Sequence, residues 1–120
     1  MTAQELDLID SNTLHRFGGS VKIFCRVQGR FLEEAQLIEG KIIKAHADND
    51  SEQVWEQLHA LKGMSGTIGA KALAQLAAQY EHQVKSSGTV SSLSCDDLQT
   101  LSELILSSNQ ALAKLAASLS

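Results

Sequence analysis

Apolar residues recur along this chain at alternating steps of three and four, the spacing that gathers side chains on one face of an α-helix. Asp10–Phe17 reads as a short opening helix, with Asp10 or Ser11 as its cap and Gly18-Gly19 as its stop. Ser20 can cap a long second helix reaching about Ala47, with Val21, Phe24, Gln28, Phe31, Ala35, Ile38, Ile42 and Ala45 as its spine. Gly29 and Gly40 each weaken it by roughly 1 kcal/mol relative to alanine, but the flanking pattern outweighs them. Asp48-Asn49-Asp50 is a turn, and Asp50 with Gln53 resembles a capping box for a third helix. Its inner face carries Val54, Leu58, Leu61 and Ile68, with small Ser65 between them. A fourth helix begins near Gly69, carries Ala70, Leu73, Ala77, Tyr80 and Val84 inward, and stops at Gly88. Thr89–Ser94 reads as a polar loop, after which Ser94 and Asp97 open a last helix with Leu98, Leu101, Ile105, Leu112, Leu115 and Leu119. The expected fold is all-α, an antiparallel four-helix bundle with a short additional N-terminal helix.

Composition sharpens this picture. The 120 residues contain no proline, the strongest helix breaker, and 43% are hydrophobic, enough for one cored domain spanning 1–120. No internal repeat or linker divides them. A net charge of −4 speaks against a nucleic-acid partner. Cys25 and Cys95 are too far apart in sequence for a metal-ligand pair and are read as reduced thiols. No apolar run approaches membrane-spanning length, and Met1–Asp10 is acidic, unlike a secretory signal, so a cytoplasmic protein is expected.

The third helix carries the candidate chemistry. At about 100° per residue its apolar set points roughly 140° away from His59, so this histidine faces outward. Trp55, Lys62, Gly63 and Gly66 fall within about 60° of it on the same face. A neutral imidazole is a good nucleophile near neutral pH, its ordinary pKa being about 6.5. Lys62 can set an ammonium beside negative charge that develops there. Gly63 and Gly66 each cost about 1 kcal/mol of helix propensity, a loss that suggests access to His59 matters. Met64 points roughly 140° from His59, away from this chemistry.

Glu81 lies within the inward stripe of the fourth helix, where an unpaired carboxylate would be costly. The His59 ring on the facing helix can answer it. A hydrogen bond from Nδ1–H would leave the lone pair on the outward Nε2; the alternative is a glutamate bending out to solvent. Trp55, the single tryptophan, either anchors a partner or packs over the groove between helices. Lys22, Arg26 and Arg30 form a basic stripe on the second helix, a partner-facing surface or an ordinary solvated one. His15, His46 and His82 belong to no such constellation. Gly63, Gly66 and Gly69 do not make a nucleotide fingerprint, there is no Walker sequence, and no Glu-x-x-His pair suggests a metal.

The run His59-Ala-Leu-Lys-Gly-Met-Ser-Gly-Thr-Ile-Gly-Ala70 resembles the signature of histidine phosphotransfer (HPt) domains, in which His-x-Leu-Lys-Gly is followed by small residues ending in Gly-Ala. Leu73, Leu76 and Tyr80-Glu81 are similar to that family's leucine-rich helix ending in Leu-Glu, and Ile9-Asp10, Leu14, Phe17-Gly18-Gly19 and Phe31-Leu32 to its opening. Met64 and Tyr80 depart from the pattern, standing where the family prefers a small residue and often a leucine. The resemblance implies a phosphorelay module. His59 would be the phosphoacceptor, flanked by Lys62 and Gly63 and bonded by Glu81; the residues' own positions make Trp55, Gly66 and Arg26 the candidates to meet the partner. It implies response-regulator receiver domains as partners, possibly those of a hybrid sensor histidine kinase, with Mg²⁺ on the receiver only. This chain would need no cofactor or metal, would act as a monomer, and would have no ATP-dependent kinase activity of its own. The alternative is a non-catalytic helical module that docks a partner on the His59 face.

Overall fold

The Thr2 hydroxyl accepts from Glu5 N while Glu5 returns a carboxylate to Thr2 N, a reciprocal capping box that starts α1 (Ala3–Leu8). The computed structural model describes residues 1–10 and 12–119. After α1 come a 3₁₀ turn (Thr13–Phe17), α2 (Val21–Ala47), α3 (Ser51–Ile68), α4 (Lys71–Ser87), a second 3₁₀ turn (Val90–Ser92) and α5 (Cys95–Leu119). The long helices form an antiparallel bundle in which α2 packs on α3, α3 on α4, α4 on α5 and α5 back on α2. The molecule measures 43 × 24 × 20 Å, its long axis matching the 27 residues of α2.

Local chemistry sets the helix ends. Ser20, Asp50 and Ser94 accept from Ile23 N, Gln53 N and Asp97 N, and Asp97 returns its carboxylate to Ser94 N at 2.9 Å. Gly69 and Gly88 end α3 and α4 in the left-handed conformation. Inside the ring, Val54, Leu58, Leu61, Ser65 and Ile68 of α3 face Leu73, Ala77, Tyr80 and Val84 of α4, all buried as their spacing predicts. Along α2 the buried spine runs from Phe24 to Ala45, while Val21 and Gln28, at its edge, are only half-buried.

The N-terminal segment departs from expectation. The α-helix lies earlier, at Ala3–Leu8, and of the expected Asp10–Phe17 helix Thr13–Phe17 folds as a 3₁₀ turn. Asp10 Oδ1 accepts from Asn12 N, and Thr13, fully buried, donates its hydroxyl to Ile68 O. Asp10 N donates to Gly69 O at 2.7 Å, and Arg16 donates to Gly66 O while pairing with Asp10 at 3.0 Å. These groups are engaged with the end of α3, so they do not build a helix of their own. Ser11, the other candidate cap, lies outside the described residues. The polar loop Thr89–Ser94 also holds buried Val90 and Leu93, whose carbonyl accepts from half-buried His46 at 2.7 Å. His46 thereby fastens the end of α2 to the α4–α5 connection. Tyr80 is buried with its hydroxyl against Asp97, and burial first, then that carboxylate, raises its pKa.

Gly69 has φ +85°, and a Cβ there would sit 2.8 Å from Thr13 Cβ and Oγ1. Gly69→Ala should therefore lower unfolding stability by about 2–4 kcal/mol, the left-handed penalty and the clash together. Urea denaturation followed by circular dichroism checks this; an unchanged midpoint would show that the N-terminal segment yields freely.

Candidate functional site

The outward direction of His59 follows from the burial of Leu58 and Leu61 on either side of it. Its side chain is 60% exposed, yet Nδ1 lies 2.8 Å from Glu81 Oε1. Glu81 occupies the inward stripe of α4 and is 8% exposed. Its second oxygen, Oε2, takes the Lys62 ammonium at 2.8 Å. One carboxylate thus joins two residues of α3 across the α3–α4 contact.

Burial by itself would raise the Glu81 pKa, but hydrogen bonds from Lys62 and then His59, with the charges of both, outweigh it and hold the carboxyl below its ordinary value. An ionised carboxylate only accepts hydrogen bonds, so the proton of this contact sits on His59 Nδ1. In the neutral ring Nε2 then carries the lone pair and points to solvent. The site offers one oriented, accessible nucleophilic nitrogen.

Trp55, one turn earlier, stacks on the imidazole with ring centroids 5.8 Å apart and planes inclined by 24°. Lys85 of α4 sets its ammonium 4.8 Å from the indole centroid. Of the two sequence readings for Trp55, the structure shows it half-buried over the α3–α4 groove and against His59 itself. On the other side, a Cβ at Gly63 or Gly66 would meet nothing within 4 Å, so packing inside the chain requires glycine at neither. Gly63 opens onto a groove of about 540 Å³ between α2 and α3, lined also by Val27, Arg30, Phe31, Met64 and Thr67.

The structure therefore brings His59, Lys62, Glu81 and Trp55 into direct contact and leaves Gly63 and Gly66 open beside them. Lys62, expected to point its charge outward, directs it at Glu81. Arg26 is exposed on α2 and pairs with none of these groups; Arg30, one turn on, is the stripe's residue that reaches the groove. Met64 stands well round the helix from His59, yet it lines the same groove. Sequence reasoning passed over Lys85, whose approach to Trp55 depends on the register of two helices. Both cysteines are free, and among the described residues no cluster of His, Cys, Asp and Glu could hold a metal ion. No helix of the described residues is long and apolar enough to cross a membrane.

Residues 26–119 match the family model described as the Hpt domain. The chain belongs to the Hpt domain family. Its fold is similar to the crystal structure of the HPT domain from an Hpt sensor hybrid histidine kinase of Shewanella, with a TM-score of 0.75 and 19% sequence identity over 90% of this chain and 92% of that one. No curated protein matches it in sequence. As an Hpt domain the protein is a histidine phosphotransfer module of phosphorelays, rather than a kinase.

Because the fold favours ionised Glu81, its pairings stabilise the domain above the ordinary carboxyl range. That contribution disappears as pH falls through the lowered folded-state value. Glu81→Gln should be less stable than the parent near neutrality, and the gap should close on acidification. Urea midpoints measured from pH 7 downward test it; a gap independent of pH would mean that the carboxylate charge contributes nothing.

Proposed function

We propose that His59 Nε2 is the phosphoacceptor of this Hpt domain and relays a phosphoryl group between the aspartates of receiver domains. The observation that carries this reading is the Glu81–Nδ1 hydrogen bond at 2.8 Å on a ring that is 60% exposed, fixing one nitrogen and freeing the other. In the forward step the Nε2 lone pair bonds phosphorus while the P–O bond to the aspartate breaks, and its electron pair leaves on the carboxylate. The ring gains a positive charge, and the Nδ1 proton remains on it against Glu81. Lys62 holds the carboxylate in place. The reverse step returns the phosphoryl group to a second aspartate.

In this reading the receiver, with its acidic pocket and Mg²⁺, carries most of the catalysis, and this domain presents a positioned nucleophile. The chain needs no cofactor of its own and phosphorylates nothing from ATP. It acts as a monomer in the cytoplasm, where a receiver would seat over Gly63 and Gly66, next to the α2–α3 groove that Gly63 and Arg30 line. Glycine at the two open positions favours this seat, because helix propensity alone disfavours it by about 1 kcal/mol each.

Incubation with a phosphorylated receiver should place acid-labile, alkali-stable phosphate on the parent and none on His59→Gln, with helical circular dichroism unchanged. Phosphate on His15, His46 or His82 in that variant would overturn the assignment. Gly63→Gln should stop transfer from the receiver while raising stability by about 0.5 kcal/mol, since the new side chain enters open space on a helix. Transfer at the parent rate would show that the glycine does not serve access.

A further inference from the structure

The phosphoacceptor reading leaves Trp55 without a role, although among the described residues it is the aromatic side chain that stacks on the His59 ring. A helical side chain leans toward the N-terminal turn, so the imidazole at position 59 falls over the turn that carries residue 55. The resulting pair, 5.8 Å apart and 24° from parallel, lies within the range of offset stacking. Lys85 presses on the same indole by a cation–π contact at 4.8 Å. The Trp55 Nε1–H is buried with no hydrogen-bond acceptor, which is unfavourable. A phenylalanine would supply apolar surface there without that cost. What tryptophan adds is the largest electron-rich face available to lay against an imidazole.

We propose that Trp55 is a positioning residue for phosphotransfer. Stacked on the imidazole, its indole limits rotation of the ring about the Glu81 hydrogen bond and stabilises the positive charge the ring gains when Nε2 bonds phosphorus. Glu81 grips the ring by its Nδ1 edge and Trp55 by one face, so the ring nitrogen left free on His59 is Nε2. The indole acts through His59 and need not touch a partner. This inference rests on His59 being the phosphoacceptor.

The test separates positioning from docking by using a donor too small to dock. Phosphoramidate transfers its phosphoryl group to histidine as its own P–N bond breaks and ammonia leaves. Trp55→Leu keeps a smaller apolar side chain and removes the π-face, and should slow phosphorylation of His59 by phosphoramidate about three- to tenfold, the range an aromatic pair's energy converts to. Trp55→Phe should restore the rate to within about twofold. In the leucine variant the His59 ring protons should lose the upfield shift that a stacked indole induces. Trp55 is the only tryptophan, so its emission in the parent should change as His59 is phosphorylated and should stay constant in His59→Gln. An unchanged phosphoramidate rate in Trp55→Leu, a slowing seen only with a phosphorylated receiver, or parent emission indifferent to phosphorylation would each overturn the proposal while leaving His59 as phosphoacceptor. Phosphoramidate failing to label His59 in the parent would instead remove the phosphoacceptor reading, and this inference with it.

Discussion

A carboxylate taken out of water at a helix contact must be met by donors, and in this chain that requirement organises the site. Glu81 is nearly buried between α3 and α4, and its two oxygens are satisfied by two residues of one neighbouring helix, His59 and Lys62. Removing one partner from such an arrangement leaves charge exposed to a poor solvent, typically at a cost of about 3–5 kcal/mol when burial is complete. The pairing therefore fixes the register of α3 against α4 and, with it, the tautomer of the histidine. Lys62 and His59 are three positions apart, so they rise from the same flank of α3 and converge on one carboxylate. Structure and chemistry meet in a single side chain.

That register depends on a second constraint, at the end of α3. Two glycines in its C-terminal half, Gly63 and Gly66, lower its intrinsic helix preference. The N-terminal segment compensates: Arg16 and Thr13 donate to the carbonyls of Gly66 and Ile68, and Asp10 N donates to that of Gly69. Carbonyls at a helix C-terminus otherwise lack partners, so these bonds cap α3 where it is weakest. The packing of Thr13 on Gly69 leaves no room for a Cβ, whereas Gly63 and Gly66 have open space. Glycine thus stands in two opposite settings on one helix: close approach within the chain at Gly69, and open space outside it at Gly63 and Gly66.

Most of the bundle was legible from the spacing of apolar residues, because burial on α3 and α4 follows helical geometry directly: Val54, Leu58, Leu61, Ser65 and Ile68 all face inward. Glu81 stood out for the same reason, as a charge in an apolar stripe. The opening segment escapes this spacing, because α1 is started by the Thr2…Glu5 capping box, and Asp10 and Thr13 bond to a helix end more than fifty residues away, which no local pattern announces. Lys62 was placed on the correct face, but an angular position describes where a Cβ points and not where four further atoms carry the ammonium. Arg26 and Arg30 looked equivalent along their stripe. Only the crossing of α2 over α3 sets Arg30 at the groove and leaves Arg26 outside it.

The finished site is asymmetric, and the asymmetry suits a relay. A nucleophile that must both accept and release the same group gains nothing from contacts that hold the product tightly, since interactions equally strong in ground and transition states do not lower the barrier between them. Among the described residues Glu81 engages the Nδ1 edge of His59 and Trp55 its face, and no hydrogen bond reaches Nε2. The Lys62 ammonium is directed at Glu81 rather than left waiting as an anchor for phosphate. Orientation is supplied from behind and beneath the ring, and the reacting side is left bare for whatever partner approaches. In the proposed relay, a domain built this way uses its few site residues to define one nitrogen, and the charge that stabilises a transferring phosphoryl group comes from the receiver.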